Sequence, residues 1–289
     1  MFRLLIPLLA LVCAACASEA PETNSDRLVS VGGDVTEIVY ALGAGDRLVA
    51  TDSTSVYPAE ANSTPKVGYV RRLSAEGVLA TKPDLILISG AAGPDEALEQ
   101  IREVGIDMVE MPTDYSIEGI LAKVRLVAEA IGEIEKGEEL AAKIEADWER
   151  AQTEIGKFDG IPRAFFFTTL RDGIPQAAGV ETAANGVIEL LGGENLFGNQ
   201  SGYTPISNEA AVAADPDMIF VMTHEIERGG GLESLTKNPA IQLTNAVTEG
   251  RVYPVDSVRI MQFGPRTPEA IAELAQDINE SRQTPQSGG

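Results

Sequence analysis

The chain is short of the residues on which most catalytic and metal-binding chemistry depends. Its two cysteines, Cys13 and Cys16, both fall in an apolar leader, so nothing downstream can form a disulfide, a cysteine nucleophile or a thiolate metal site. His224 is the single histidine and no H-E-x-x-H occurs, which removes a conventional histidine-rich zinc site. The glycine-rich pieces GAAGPDE and RGGGLES lack phosphate-loop spacing, and no strand runs into G-x-G-x-x-G, so nucleotide chemistry has no motif. G-x-S-x-G is also missing, which leaves a hydrolase unsupported. Positive charge is scarce, with 22 Lys and Arg against 44 Asp and Glu and a formal net charge of −22. That balance argues against nucleic acid or an anionic membrane as partner, and an anionic ligand would need a local basic patch.

The leader MFRLLIPLLALVCAACASEAP has one early Arg, an apolar run too short for an ordinary span, and then small residues, the pattern of an export signal over residues 1–17. Ala15-Cys16-Ala17 suits cleavage after Ala17, and Ala14-Ala15-Cys16 suits a bacterial lipoprotein box with a lipid anchor on Cys16. Cys13, where that box usually has Leu, favours the soluble periplasmic product. No second apolar segment is long enough to cross a bilayer.

Downstream, β-rich runs alternate with helical patterns. RLVSVGG, RLVATD, DLILIS and DMVEM read as strands, with VTEIVYALGAG, SAEGVLATK and DEALEQIREVG as helices between them, and Gly43 and Gly105 stand where helix ends take a left-handed residue. Alternation of this kind implies a parallel sheet covered on both faces. From Ser116 the pattern is almost continuous helix, broken at Gly132, and its second stretch of about two dozen residues would span roughly 36 Å. Strands resume with RAFFFTT, MIFVM and RVYPVD, separated by ETAANGVIELLGG and a helix from Ser207, before the helix TPEAIAELAQDINE. The expected fold is α/β: two Rossmann-like lobes at 27–132 and 161–280, joined by one long helix at 133–158, with a disordered tail at 281–289. Trp148 in the long helix and Phe165 to Phe167 read as packing residues.

One phrase occurs twice. GYVRRLSAEGVLATKPDLILIS starts at Gly68 and GYTPISNEAAVAADPDMIFVM at Gly202, matching Glu76 to Glu209, Pro83 to Pro216 and Asp84 to Asp217, with Tyr69 and Tyr203 aligned after a one-residue gap. Two related lobes facing each other make a cleft with a tyrosine from each side.

VGYVRRLSAEGVLATKPDLIL, DGIPQAAGVETAANGVIELLGGENLF, SGYTPISNEAAVAADPDMI and FGPRTPEAIAEL together resemble the periplasmic haem-binding proteins of bacterial haem ABC importers, over nearly the whole chain after the leader. The resemblance implies a monomeric receptor that carries ferric haem b as cargo to an inner-membrane ABC permease, has no catalytic cofactor, and breaks no bond. It implies that Tyr69, in Gly68-Tyr69-Val70-Arg71, is an axial ligand to the haem iron, a role a hard phenolate suits. In an extended segment Arg71 would share a face with Tyr69 and favour its ionisation, with Arg72 pointing away; either guanidinium suits a haem propionate. His224 follows the strand MIFVM, on the edge where parallel sheets hold ligands, and is either a second ligand or a solvated loop residue. Tyr203 is either a cleft contact or lobe-edge packing, and Arg228, in the same glycine-rich loop as His224, a contact for a propionate or the Tyr69 phenolate, or a surface charge.

Glu76 and Glu209 each follow a serine, Ser74 or Ser207, that reads as a helix N-cap, so each complements a helix dipole. In related binding proteins acids at such places dock on permease arginines, and both uses can coexist. Three other readings compete: the same fold with a ferric siderophore or cobalamin, an exported tetrapyrrole-modifying enzyme, and a passive haem carrier. The low aromatic content disfavours the first, and no convincing acid-base set supports the second.

Overall fold

A computed structural model describes residues 26–171, 174–239 and 241–283. The export leader with Cys16, and residues 284–289 of the expected tail, lie outside the described residues. In chain order the first lobe comprises β1 (Leu28–Val31), α1 (Gly33–Ala41), β2 (Leu48–Thr51), the short strands β3 (Gly68–Tyr69) and β4 (Arg72–Leu73), α2 (Ala75–Leu79), β5 (Leu85–Ile88), α3 (Asp95–Glu103) and β6 (Asp107–Glu110). Its sheet has the order β2-β1-β5-β6 with every neighbour parallel. β1 and β5 are buried on both faces, as unbroken apolar runs in the middle of a parallel sheet should be. Gly43 and Gly105 take left-handed φ values of 77° and 79°, as expected.

Next come α4 (Ile117–Ile131) and α5 (Ile134–Ile155), which pack against each other across the break at Gly132. Gly137 permits that approach, since a Cβ there would fall 2.4 Å from the Ala128 methyl. The second lobe holds β7 (Arg163–Arg171), β8 (Ile174–Ala178), α6 (Ala183–Leu190), β9 (Glu194–Asn195), β10 (Tyr203–Pro205), α7 (Asn208–Ala214), β11 (Met218–Met222), α8 (Thr223–Arg228), α9 (Leu232–Thr236), α10 (Asn245–Thr248), β12 (Val252–Val255), α11 (Ser257–Ile260) and α12 (Thr267–Gln283). Its sheet runs β10-β8-β7-β11-β12, with β9 also on β7; β7, β11 and β12 are parallel, and β8 and β10 add antiparallel strands at one edge. α12 continues through Gln283, so the first three residues expected in the tail are helical.

The internal repeat is structural. Arg27 Nε and Nη2 donate to the carbonyls of Lys82 and Thr81 at 2.8 and 2.6 Å, closing the end of α2, while Arg163 Nη1 and Nη2 donate to those of Asp215 and Ala214 at 3.4 and 3.0 Å, closing α7. Lys82 and Asp215 both take left-handed backbone, with φ 51° and 41°. The Asp84 and Asp217 amides donate to the Arg27 and Arg163 carbonyls at 2.9 and 2.7 Å.

Among the described residues, three apolar clusters hold the chain together. One lies on the outer face of each sheet, and the largest is shared: it joins Val35 and Leu87 of the first lobe to Phe166 and Phe220 of the second through Val124, Ile144 and Ile271. Trp148 packs against this shared cluster, and Phe165, Phe166 and Phe167 are buried in β7, as their sequence suggests.

Candidate functional site

A cavity of about 330 Å³ opens between the lobes. Gly32 to Asp34, Thr54, Ser89 and Pro112 to Tyr115 reach it from segments following β1, β2, β5 and β6, while Met222 and Ser257 reach it from the ends of β11 and β12. The site therefore lies beyond the carboxyl ends of parallel strands in both sheets, where open α/β folds bind ligands.

One wall is the β3–β4 hairpin. Tyr69 pairs with Arg72, so Val70 and Arg71 form the turn. Val70 and Leu73 are buried in the first lobe's outer core, and backbone bonds of 2.9 Å from Gly93 N–H to the Val70 carbonyl and from Leu73 N–H to the Gly93 carbonyl fix the hairpin. With those apolar anchors turned inward, Tyr69 and Arg71 are left facing the cavity, and Tyr69 is 45% exposed.

Opposite stand Tyr115 and Tyr203. Burial pushes the Tyr115 phenol above its ordinary value, opposed by the charge of Arg71 and reinforced by that of Asp34. Burial also raises Tyr203; Tyr115 adds to the effect, while Arg71, the Ala184 N–H at the start of α6 and the Thr182 side chain work against it. Arg71 therefore acts across the gap on both phenols. Tyr115 is held by an edge-on contact with Phe263, centroids 5.2 Å apart, and by Gly186 of α6, where a Cβ would come within 2.6 Å of the Tyr115 Cβ.

The floor is polar and buried. Asp52 accepts from Gly32 N–H and Ser55 Oγ at Oδ1, at 2.9 and 2.7 Å, and from Thr54 N–H and Oγ1 at Oδ2, at 2.8 and 2.6 Å. It thereby positions two cavity-lining segments. Lys123 of α4 donates to Asp34 Oδ2 at 2.7 Å and to the Phe263 carbonyl at 2.6 Å.

Several residues picked out by sequence stand elsewhere than expected. The Tyr69–Arg72 segment is a hairpin rather than an extended run, so Arg72 is the residue opposite Tyr69 and on its face, while Arg71 occupies the turn. His224 and Arg228 are on helix α8, not in a loop, because six residues before the Gly229–Gly231 run close a helical turn. His224 is one side chain behind the cavity, with Nδ1 3.5 Å from Oγ of the lining residue Ser257. Arg228 lines a different cavity of about 240 Å³ with Phe167, Val221 and Leu235, with Nη1 3.5 Å from Glu225 Oε1; the cleft-contact reading of Arg228 is corrected accordingly. Glu76 and Glu209 are exposed in the first turns of α2 and α7, behind the caps Ser74 and Ser207, whose Oγ atoms accept from Gly77 and Ala210 N–H. Its own backbone amide and the Ser207 hydroxyl hold the Glu209 carboxyl below its usual range.

Sequence reasoning passed over Tyr115, Asp34 and Lys123. The rule that placed His224 beyond a strand end would have placed Asp34 after β1 and Tyr115 after β6 as well.

A model of the periplasmic binding protein family matches residues 28–258. The solved apo form of the periplasmic heme-binding protein RhuT from Roseiflexus sp. RS-1 is 35% identical, superposes with a TM-score of 0.83, and is matched over 90% of this chain and 100% of its own. The uncharacterized ABC transporter substrate-binding lipoprotein YvrC of Bacillus subtilis is 29% identical over 87% of this chain and 79% of its own length. A vitamin B12-binding protein of Vibrio campbellii is 27% identical over 90% and 91%.

Proposed function

The chain belongs to the periplasmic binding protein family, and from that premise we propose that it captures ferric haem in the interlobe cleft and delivers it to an inner-membrane permease. Its role as the substrate-binding protein of an ABC importer follows from the family and its relatives. The observation that carries the haem reading is the β3–β4 turn, which presents a phenol and a guanidinium, Tyr69 and Arg71, to a preformed cavity. A phenolate is a hard donor for Fe(III). Arg71, which lines the same cavity, carries a guanidinium suited to a haem propionate. Arg72, opposite Tyr69 in the hairpin, is the other candidate for a haem propionate. Tyr203 lines the same cavity from the other lobe, and His224, behind Ser257, is the further candidate for a second iron contact. RhuT, a heme-binding protein by name, supports the same cargo.

Glu76 and Glu209, at matching places on the two lobes, are the proposed permease contacts; charge pairs of that kind set orientation and encounter rate. The proposed activity is capture and release, without chemistry on the cargo.

A second reading, a cobalamin cargo, is favoured by the vitamin B12-binding relative, which aligns over nearly its full length. A difference-absorbance titration of the purified protein with ferric haem, cyanocobalamin and a ferric siderophore separates these readings. Saturable haem binding with a tyrosinate charge-transfer band, lost in Tyr69→Ala, is expected. Saturation by cyanocobalamin or the siderophore without a haem signal overturns the haem assignment.

A further inference from the structure

Polar contacts tie the first lobe to residues 262–266, the segment between α11 and α12, and they border the cleft. Lys123 bridges Asp34 Oδ2 on α1 and the Phe263 carbonyl, at 2.7 and 2.6 Å, with side chains of Lys123 and Asp34 only 4% and 8% exposed. Arg266 donates its backbone N–H to Glu37 Oε1 at 3.1 Å and Nη2 to Glu37 Oε2 at 2.9 Å, and stands 3.3 Å over the Tyr57 ring. Gln262 Nε2 donates to the Thr54 carbonyl at 3.1 Å. The seam is tight, since a Cβ on Gly33 would fall 2.2 Å from Gln262 Oε1.

Asp34, Thr54, Lys123 and Gln262 are also cavity-lining residues, so the groups that pin the lobes together are groups that face the ligand space. The shared apolar core, with Tyr115 packed on Phe263, joins the lobes, and the polar contacts add directional ties at the rim of the cleft. Charge-assisted hydrogen bonds are short and directional: Lys123, held by Asp34 within the first lobe, reaches the Phe263 carbonyl across the seam, and the part-buried Arg266–Glu37 pair crosses it as well.

We infer that Lys123 and Arg266 are positioning residues that, anchored on Asp34 and Glu37, hold the two cleft walls at a set gap before ligand arrives and so select ligands by thickness. The inference rests on the cleft being the ligand site. A flat macrocycle enters such a gap at little cost; a ligand with bulky axial groups must first break the Lys123 bond to the Phe263 carbonyl and the Arg266–Glu37 pair.

The test measures the gap directly. With Cys13→Ser and Cys16→Ser the chain has no background thiol, so Glu99→Cys on α3 and Ala210→Cys on α7 accept spin labels, one on each lobe. Pulsed dipolar spectroscopy on the unliganded protein should give one narrow distance distribution that ferric haem leaves in place. Lys123→Met and Arg266→Met should each broaden it and lengthen its mean, and should speed ferric haem release. The preference for haem over cyanocobalamin should narrow in both variants, and Arg266→Lys should recover much of the parent distribution. Distributions in folded Lys123→Met and Arg266→Met as narrow as the parent's would overturn the inference. Should either methionine variant fail to fold, Glu37→Gln, which keeps one carbonyl acceptor for Arg266, must show the same broadening or the inference falls. A parent protein that binds no haem but whose variants broaden removes the cargo reading alone; haem binding with unbroadened variants removes the positioning role alone.

Discussion

Asp52→Asn is a small change with a large expected cost. Asp52 is fully buried, and each of its carboxylate oxygens accepts one backbone N–H, from Gly32 at 2.9 Å and from Thr54 at 2.8 Å. A carboxamide has one oxygen, so whichever way the substituted side chain is turned, its NH₂ faces a backbone N–H that cannot rotate away. The Ser55 and Thr54 hydroxyls can turn and soften the collision, but one amide donor is left without an acceptor. Losing a hydrogen bond to a charged acceptor costs about 1.5–3 kcal/mol, and an unsatisfied buried donor about 1–3 kcal/mol more, so a net loss of about 3 kcal/mol is expected. For a chain of this size that lowers the melting temperature by roughly 6–12 °C. Urea unfolding followed by far-UV circular dichroism should show a lower midpoint with the slope unchanged. Thr54→Val, which removes a single hydroxyl contact, should lose only about 1 kcal/mol. A loss below about 1 kcal/mol for Asp52→Asn would refute the reasoning, because the carboxylate would then not be what holds Gly32 and Thr54. Both line the cavity, so ligand affinity should fall with stability.

Gly186→Ala puts a methyl 2.6 Å from the Tyr115 Cβ and 2.8 Å from the Tyr115 carbonyl and the Phe263 ring. Overpacking of about 1–3 kcal/mol should outweigh the helix-propensity gain of about 1 kcal/mol, so a variant more stable than its parent in thermal unfolding would contradict the packing account. Burial acts to raise the Asp147 carboxyl, but hydrogen bonds from Lys143 and Arg150 outweigh it and hold the group below its ordinary 3.8. Its folded-state value being depressed, the stabilisation is complete above 3.8 and lost as pH falls below it: a gap of about 0.5–1 kcal/mol between parent and Asp147→Asn at neutral pH should close in acid, and a gap independent of pH would dismiss the ion pairs as its source. Reversing Glu76 and Glu209 together to Lys should abolish ligand-dependent ATPase stimulation of the reconstituted importer while titrations of the free protein show unaltered ligand affinity; intact stimulation would exclude both as docking groups.

Much of the frame is legible in the sequence because its signals are local. LVSV and LILI are too uniformly apolar for anything but buried strands, Ser74, Ser116 and Ser207 announce helix starts, and the repeat pairs α2 with α7. β10 escapes notice because it is a three-residue edge strand containing Pro205, the sort of position a proline-bearing strand is confined to. α8 to α11 span four to six residues, too short for helical periodicity to register. In the site, Tyr69 and Tyr203 are found through the repeat, but Lys123 looks like the solvated position of an amphipathic helix. Its acceptors lie 89 and 140 residues away in sequence, and no local pattern encodes contacts at that distance.

The duplicated Gly-Tyr dipeptide shows how one frame serves two chemical tasks. Arg27 and Arg163, Lys82 and Asp215, and Asp84 and Asp217 make equivalent contacts in the two lobes, so the strand and helix that follow each tyrosine are set alike. What precedes the helix differs. Gly68-Tyr69 is followed by Val-Arg-Arg-Leu and folds into a free-standing hairpin whose turn carries Arg71, leaving the Tyr69 phenol open to the cleft. Gly202-Tyr203 is followed by Thr-Pro and instead joins a sheet edge, Tyr203 pairing with Ala178, with its phenol beside the start of α6 and its ionisation opposed by burial. A metal-bearing ligand thus meets, on one side, a phenol on a free-standing hairpin whose turn carries a guanidinium and, on the other, a phenol on a sheet edge beside the start of α6. Binding should be polarised: Tyr69→Phe should change the iron spectrum, whereas Tyr203→Phe should alter affinity with the spectrum largely kept. If the two substitutions altered the spectrum equally, the cleft would be using its lobes symmetrically, against the different settings in which the fold places its two tyrosines.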